Sequence, residues 1–162
     1  MNKTIINILV AATAITVASN SDAGDRKVYP GEMAAMTYGE DMVQYLGTIY
    51  NPSHTKWLRV QLPVINDDTT SGIDKSYVYV VDQHYTSNVR CSINTAYWNN
   101  TTDSLYGFWG AYKSSQGSSG NRQTLSTGAA THGSTRHEFI DCLIPPRYQG
   151  KPSFLVSYIV EE

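Results

Sequence analysis

Residues 57–65 read Trp57-Leu58-Arg59-Val60-Gln61-Leu62-Pro63-Val64-Ile65, and this stretch decides the fold. Leu58, Val60, Leu62 and Val64 fall on one side of a period-2 alternation, with Trp57, Arg59 and Gln61 on the other. A strand patterned this way packs one face on a core and turns the other to water. Pro63 has no N–H to give to a ladder, so the strand stops there or lies at an edge.

The pattern recurs on both sides of this stretch. Ser76 to Val81 sets Tyr77, Tyr79 and Val81 against Val78 and Val80. Val89 to Trp98 places Val89, Cys91 and Ile93 on one face, and Leu105 to Tyr112 alternates Tyr106, Phe108 and Tyr112 with Leu105, Trp109 and Ala111. Glu138 to Ile144 aligns Ile140, Cys142 and Ile144 and stops at Pro145-Pro146. Ser153 to Val160 alternates Phe154, Val156, Tyr158 and Val160 with Leu155, Ser157 and Ile159. Met42 to Tyr50 reads as one further strand, and Gln123 to Ser126 as the only one in the Ser/Gly/Thr-rich stretch 114–133. About eight short strands with no helix between them predict an all-β, antiparallel two-sheet sandwich, jelly-roll or immunoglobulin-like, with a closed barrel as the alternative. Residues 24–41, with a turn at Pro30-Gly31, read as an N-terminal arm ahead of a sandwich domain at 42–162.

Composition bounds the function. The chain has 162 residues, the length of one domain. Leu, Ile, Val and Phe make up about a fifth of it, and with a net charge of only −2 this is not a disordered composition. Twelve Lys and Arg against fourteen Asp and Glu leave no excess to neutralise a phosphate backbone, so nucleic acid is not the expected partner.

Residues 1–23 read as a signal peptide. Lys3 supplies the positive start, Ile5 to Ala18 an apolar run, and Ser21-Asp22-Ala23 the small residues at −3 and −1 of a cleavage site before Gly24. At about 14 residues the apolar run is shorter than the roughly 20 a membrane helix needs. No cysteine follows it to carry a lipid, and the mature chain has no second hydrophobic segment. A secreted or periplasmic destination is expected.

Cys91 and Cys142 are the only cysteines. An even count in an exported chain favours a disulfide over two free buried thiols. It is expected to be structural, since the C-x-x-C spacing of a redox pair is absent. A crosslink closing 51 residues is worth about 4 kcal/mol on the chain-entropy model.

The stretches Val89-Arg90-Cys91-Ser92-Ile93, Cys142-Leu143-Ile144-Pro145-Pro146 and Ser157-Tyr158-Ile159-Val160-Glu161 resemble those of small exported bacterial β-sandwich proteins. Members of that loose group carry a cysteine in a central strand, a second in a Cys-x-[Leu/Ile]-Pro stretch, and a closing Ser-Tyr-x-Val-Glu strand. The chain departs from them at Gln61-Leu62-Pro63, where they often have an earlier Cys-Pro. The resemblance spans about residues 57–162; it implies a sandwich and export, and no activity.

No catalytic constellation is legible. His54, His84, His132 and His137 read as exposed loop residues, the last two five apart without a spacing that converges on a metal. There is no Gly-x-Ser-x-Gly elbow. Glu138 and Asp141 are candidates for a glycosidase carboxylate pair, and edge-strand charges explain them as well. The loop Asn66 to Asp74 gathers the oxygen ligands of a calcium loop, yet it lacks EF-hand spacing and turn chemistry accounts for it equally. Neither a cofactor nor a metal site is expected.

The aromatic cluster is the most informative feature. Tyr97, Trp98, Tyr106, Trp109 and Tyr112, with Phe108, flank Asn99-Asn100-Thr101-Thr102-Asp103. Rings beside amides and hydroxyls are what a sugar-binding surface uses: the ring covers the apolar face of a pyranose while the polar groups take its hydroxyls. The alternative is that these rings form core and ordinary cross-strand pairs. The expected function is a non-catalytic exported module for a glycan or another envelope component. A protein-interaction subunit, inhibitor or effector is second, and a small secreted hydrolase third.

Overall fold

The computed structural model describes residues 25–67, 72–131 and 136–162. The expected signal peptide at 1–23, His132, and residues 68–71 of the loop weighed for calcium lie outside the described residues.

Twelve strands are present among the described residues: β1 Arg26–Pro30, β2 Ala35–Tyr38, β3 Val43–Tyr45, β4 Thr48–Tyr50, β5 Leu58–Pro63, β6 Ile73–Val81, β7 Arg90–Asn99, β8 Ser104–Trp109, β9 Lys113–Ser114, β10 Arg122–Ala130, β11 Arg136–Ile144 and β12 Phe154–Glu161. They form two antiparallel sheets of six. The first runs β10-β6-β12-β4-β3, with β1 beside β12; the second runs β2-β5-β11-β7-β8, with β9 beside β7. Eight strands make the frame, as β4-β12-β6-β10 against β5-β11-β7-β8. The chain changes sheet at every frame connection except the β7–β8 hairpin. That is the order of a jelly roll and not of an immunoglobulin domain, whose first and second strands share a sheet.

The four other strands are what the sequence reading missed. The stretch 24–41, read as an arm, supplies β1 to the first sheet and β2 to the second, joined by a 3-10 turn at Gly31–Met33. Gly31 is required there, because a Cβ at this position would lie 2.6 Å from the Leu155 carbonyl oxygen. Met42 to Tyr50 is not one strand but the hairpin β3–β4, turning at Leu46 and Gly47 with φ of 49° and 79°. Two successive positive φ values are the demand of a type I′ turn. β10 extends well past Gln123–Ser126, with register shifts around Gly128.

The strand expected at Leu105 to Tyr112 ends at Trp109, and Tyr112 leaves the Tyr106–Phe108 face to bond Asp141. In β5, β6, β7 and β11 the alternation is correct. Leu58, Val60 and Leu62 of β5, Val78 and Val80 of β6, Cys91 and Ile93 of β7, and Ile140, Cys142 and Ile144 of β11 all lie in the core between the sheets. β5 ends at Pro63, as its missing donor requires. In β12 a bulge between Leu155 and Ser157 breaks the phase. Leu155, Tyr158 and Val160 are therefore buried, in place of an unbroken Phe154, Val156, Tyr158, Val160 face. The buried Tyr158 hydroxyl donates to the Pro63 carbonyl at 2.7 Å.

Cys91 and Cys142 sit directly opposite one another in the β7–β11 register, with Cα atoms 4.2 Å apart, and are joined in a disulfide. Both are fully buried. Replacing both by alanine is expected to lower the unfolding free energy by about 2–5 kcal/mol. Urea denaturation of the oxidised wild type beside the double variant measures it. Coincident midpoints would show that the crosslink adds no constraint to the ladder.

Candidate functional site

The outer face of the second sheet carries the site. It is built from the positions whose neighbours along each strand point inward: Arg59 and Gln61 on β5, His137, Phe139 and Asp141 on β11, Ser92, Asn94 and Ala96 on β7, and Leu105, Gly107 and Trp109 on β8. β8 is the edge strand on this side, and all six of its residues are exposed. Ala96 and Gly107 face each other in register, so the floor between Leu105 and Trp109 has almost no side chain. A cleft of about 430 Å³ opens there, bounded by Trp109, Leu105, Tyr106, Phe139, His137 and Gln61. A second hollow of about 360 Å³ continues toward β2, past Ala35, Met33 and Pro63. Gln61, His137 and Phe139 line both, so the two form one groove across the strands.

Trp109 is the best-supported exposed ring. It is 62% exposed, yet Phe139 meets it edge-on with centroids 5.9 Å apart. The Arg59 guanidinium lies 5.7 Å from its centroid, the geometry of a cation–π contact. Arg59 is itself held by Asp141, its Nε donating to Oδ1 at 2.8 Å. The Tyr112 hydroxyl donates to the other carboxylate oxygen at 2.6 Å. Asp141 is fully buried beneath these partners. The hydrogen bond to Asp141 raises the Arg59 pKa; burial, then the bond to Asp141, raises that of the Tyr112 phenol. Asn94 accepts from the Gly110 N–H at 2.9 Å, also below the rings. Gly110 is obligatory, since a Cβ there would lie 2.2 Å from the Ile93 carbonyl oxygen.

The sequence-predicted cluster is divided by this geometry. Trp98, 50% exposed, and Leu105 pair on the outer face nearer the Asn99–Ser104 turn. Tyr112 covers Asp141. Tyr97 lies on the opposite face of the hairpin, stacked on Tyr106 at 5.6 Å and Phe108 at 6.0 Å, with the Arg136 guanidinium over Tyr97 and Phe108. Tyr106 therefore borders the groove while its ring belongs to the other stack. The turn itself is an Asx turn: Asn99 Oδ1 accepts from the N–H groups of Thr101 and Thr102.

Other expectations are corrected. Asp141 and Glu138 are not edge charges, because β11 lies between β5 and β7 and both residues are buried. They also sit on opposite faces of β11, Glu138 inward and Asp141 outward, so they cannot flank one glycosidic bond. His84 is buried rather than exposed; its Nδ1 accepts from the N–H groups of Thr86 and Ser87 and anchors that loop. His137 lies on a strand and lines the groove. In the loop weighed for calcium, Asp67 accepts from Lys27 Nζ, and that hydrogen bond holds its carboxyl below the usual range.

The sequence reading missed Gln61, His137, Phe139, Leu105 and Gly107 as lining residues. Parity marked their faces; nothing in the sequence placed β5 and β11 beside β7.

No protein-family model matches the chain, and no curated protein does. Among solved structures it is similar to a low affinity xylan binding module, CBM86, from the gut symbiont Roseburia intestinalis, at 15% identity and a TM-score of 0.43, covering 86% of this chain and 97% of that one. It is also similar to the CBM36-1 domain of a multidomain xylanase from the hindgut metagenome of Trinervitermes trinervoides, at 9% identity and a TM-score of 0.46, covering 85% and 97%. A third similarity is to the CBM22-1–GH10 modules of a Clostridium thermocellum endo-1,4-beta-D-xylanase, at 12% identity and a TM-score of 0.47; the match covers 83% of this chain and 27% of that one. Likenesses this distant decide nothing about a ligand, and the functional reading rests on the groove.

The pair beneath Trp109, a buried Asp141 under a partly exposed Arg59, makes a stability prediction. Arg59→Met removes one of the partners of the buried Asp141 carboxylate, the Tyr112 hydroxyl staying in place, and is expected to destabilise by about 1–3 kcal/mol. Pairing it with Asp141→Leu is expected to restore most of that loss, because the buried charge is then gone. Thermal and urea unfolding of the two single variants and the double variant close the cycle.

Proposed function

We propose that the chain is an exported, non-catalytic glycan-binding module whose ligand lies in the groove on the outer face of the second sheet. The observation that carries this reading is Trp109: its ring is open to water yet held by Phe139 and Arg59 at the groove wall. A ring fixed in advance meets the apolar face of a pyranose without losing side-chain freedom on binding. Gln61 and His137, on the facing strands, are placed to exchange hydrogen bonds with the sugar hydroxyls.

Export is supported by the disulfide, a bond that oxidising compartments form and keep, and by the pattern of residues 1–23. N-terminal sequencing of protein from the exported fraction is expected to begin at Gly24; intact Met1 recovered from the cytoplasm would refute export.

A protein partner is the second reading, and β8 favours it. Ser104-Leu105-Tyr106-Gly107-Phe108-Trp109 is an edge strand without a charge or a proline to discourage pairing with another chain. Trp109→Ala separates the two. On a panel of soluble polysaccharides in affinity electrophoresis, it is expected to weaken retention by about tenfold or more, roughly 1.4 kcal/mol. Stability is expected to stay within about 1 kcal/mol of wild type, since the ring is mostly exposed. Tyr97→Ala, on the far face, is expected to leave retention unchanged. If neither wild type nor variant is retained by any glycan, the protein-partner reading takes over.

A further inference from the structure

We propose that the groove takes an internal stretch of an uncharged, linear polysaccharide, laid across the strands with one sugar ring seated in the Gly107–Ala96 notch against Trp109. This rests on the glycan-binding reading and specifies its ligand class. Three observations carry it.

The first is extent. The groove crosses from β8 to β2, which are the two edges of the second sheet. Four inter-strand gaps at about 4.8 Å make it about 19 Å long, several times the width of one sugar ring. Both of its ends lie at sheet edges, so a chain can run off either side, and among the described residues no wall closes either end.

The second is charge. Among the described lining residues the side-chain polar groups facing the groove are the Gln61 amide, the His137 imidazole and the Trp109 indole N–H, with no carboxylate or ammonium facing it beside them. Of the cations on neighbouring positions, Arg59 is paired with Asp141 at 2.8 Å and turned onto Trp109, and Arg136 lies over Tyr97 and Phe108 on the far face of the hairpin. Glu138, at the border, belongs to the inner face of β11 and is buried. An anionic glycan would give up hydration here and meet no free counter-charge. The net charge of −2 adds no attraction.

The third is shape. A Cβ built on Gly107 meets nothing closer than 3.6 Å, the nearest atoms being the Thr95 carbonyl oxygen and Trp109 Nε1. The fold therefore does not need glycine at this position, and glycine weakens a strand interior. What glycine leaves here is room beside the Trp109 ring. A β-branched side chain would fill that room while favouring the strand.

Calorimetry at pH 8, where an ordinary imidazole is uncharged, tests the proposal on the whole exported protein. The probes are neutral xylo-, cello- and manno-oligosaccharides of increasing length beside oligogalacturonate and oligoalginate, each at low and high salt. For at least one neutral series, affinity is expected to rise with length and then level off, with no dependence on salt. Gly107→Val is expected to weaken that binding at least tenfold while its melting temperature equals or exceeds that of wild type. Preferential binding of the anionic series, weakening with salt, overturns the uncharged ligand and leaves the glycan-binding reading intact. Full affinity for a single sugar overturns the internal-chain geometry alone, and unimpaired binding by a folded Gly107→Val overturns the notch. Absence of binding to every probe overturns both this proposal and the reading beneath it.

Discussion

The register between β7 and β11 is the constraint on which the site depends. Side chains alternate along a strand with a period of two, so a slip of one residue exchanges its faces. In β11 the correct register places Ile140, Cys142 and Ile144 in the core and His137, Phe139 and Asp141 outside. The slipped register would bury His137 and Asp141 between the sheets and open the isoleucines to water. The Cys91–Cys142 crosslink admits only one pairing of the two strands. The bond is thus both a staple for the fold and the reason Phe139 stands beside Trp109.

A buried carboxylate, Asp141, lies beneath the groove wall under the partly exposed Arg59 and Tyr112, and its worth is not chiefly thermodynamic. A buried ion pair gives back in Coulomb attraction roughly what desolvation takes, and well-packed apolar residues often do as well. Direction is what Asp141 adds. Its two oxygens fix the Arg59 guanidinium on one side and the Tyr112 hydroxyl on the other. Arg59 then faces Trp109, whose other contact is the edge-on Phe139 ring. An exposed indole on a bare edge strand would sample several rotamers; this one is clamped before any ligand arrives. Pre-organisation of this kind lowers the entropy lost on binding.

Much of the fold was legible because a strand with one buried face writes its own pattern. Leu58, Val60 and Leu62 alternate with Arg59 and Gln61, and the structure buries the first set and lines the outer face with the second. The additions to the frame were not legible. β1 and β2 are short edge strands with exposed or half-buried faces, so no apolar stripe announces them. β12 lost its phase to a bulge, which leaves no mark in composition. The site was legible only by residue type. Clustering in sequence picked out the β7–β8 rings, but a hairpin has two faces, and pairing sends Tyr97, Tyr106 and Phe108 one way and Trp98, Leu105 and Trp109 the other. The groove's remaining wall comes from β5 and β11, which are distant from β7 in the chain and adjacent only through sheet order.

The bareness of β8 follows from the same topology. Natural edge strands are commonly guarded by charge, proline or a bulge, yet Ser104–Trp109 has none of these and is exposed along its whole length. A charge at Leu105 or Gly107 would guard the edge, but both positions face the groove and bound the notch beside Trp109. On the opposite face Tyr106 and Phe108 are already committed to the stack with Tyr97 and Arg136, which holds the projecting hairpin in place. Every position of the strand's apolar centre is thus taken by one face or the other. The sheet edge that opens the groove at this end is for that reason also the edge the protein leaves unguarded.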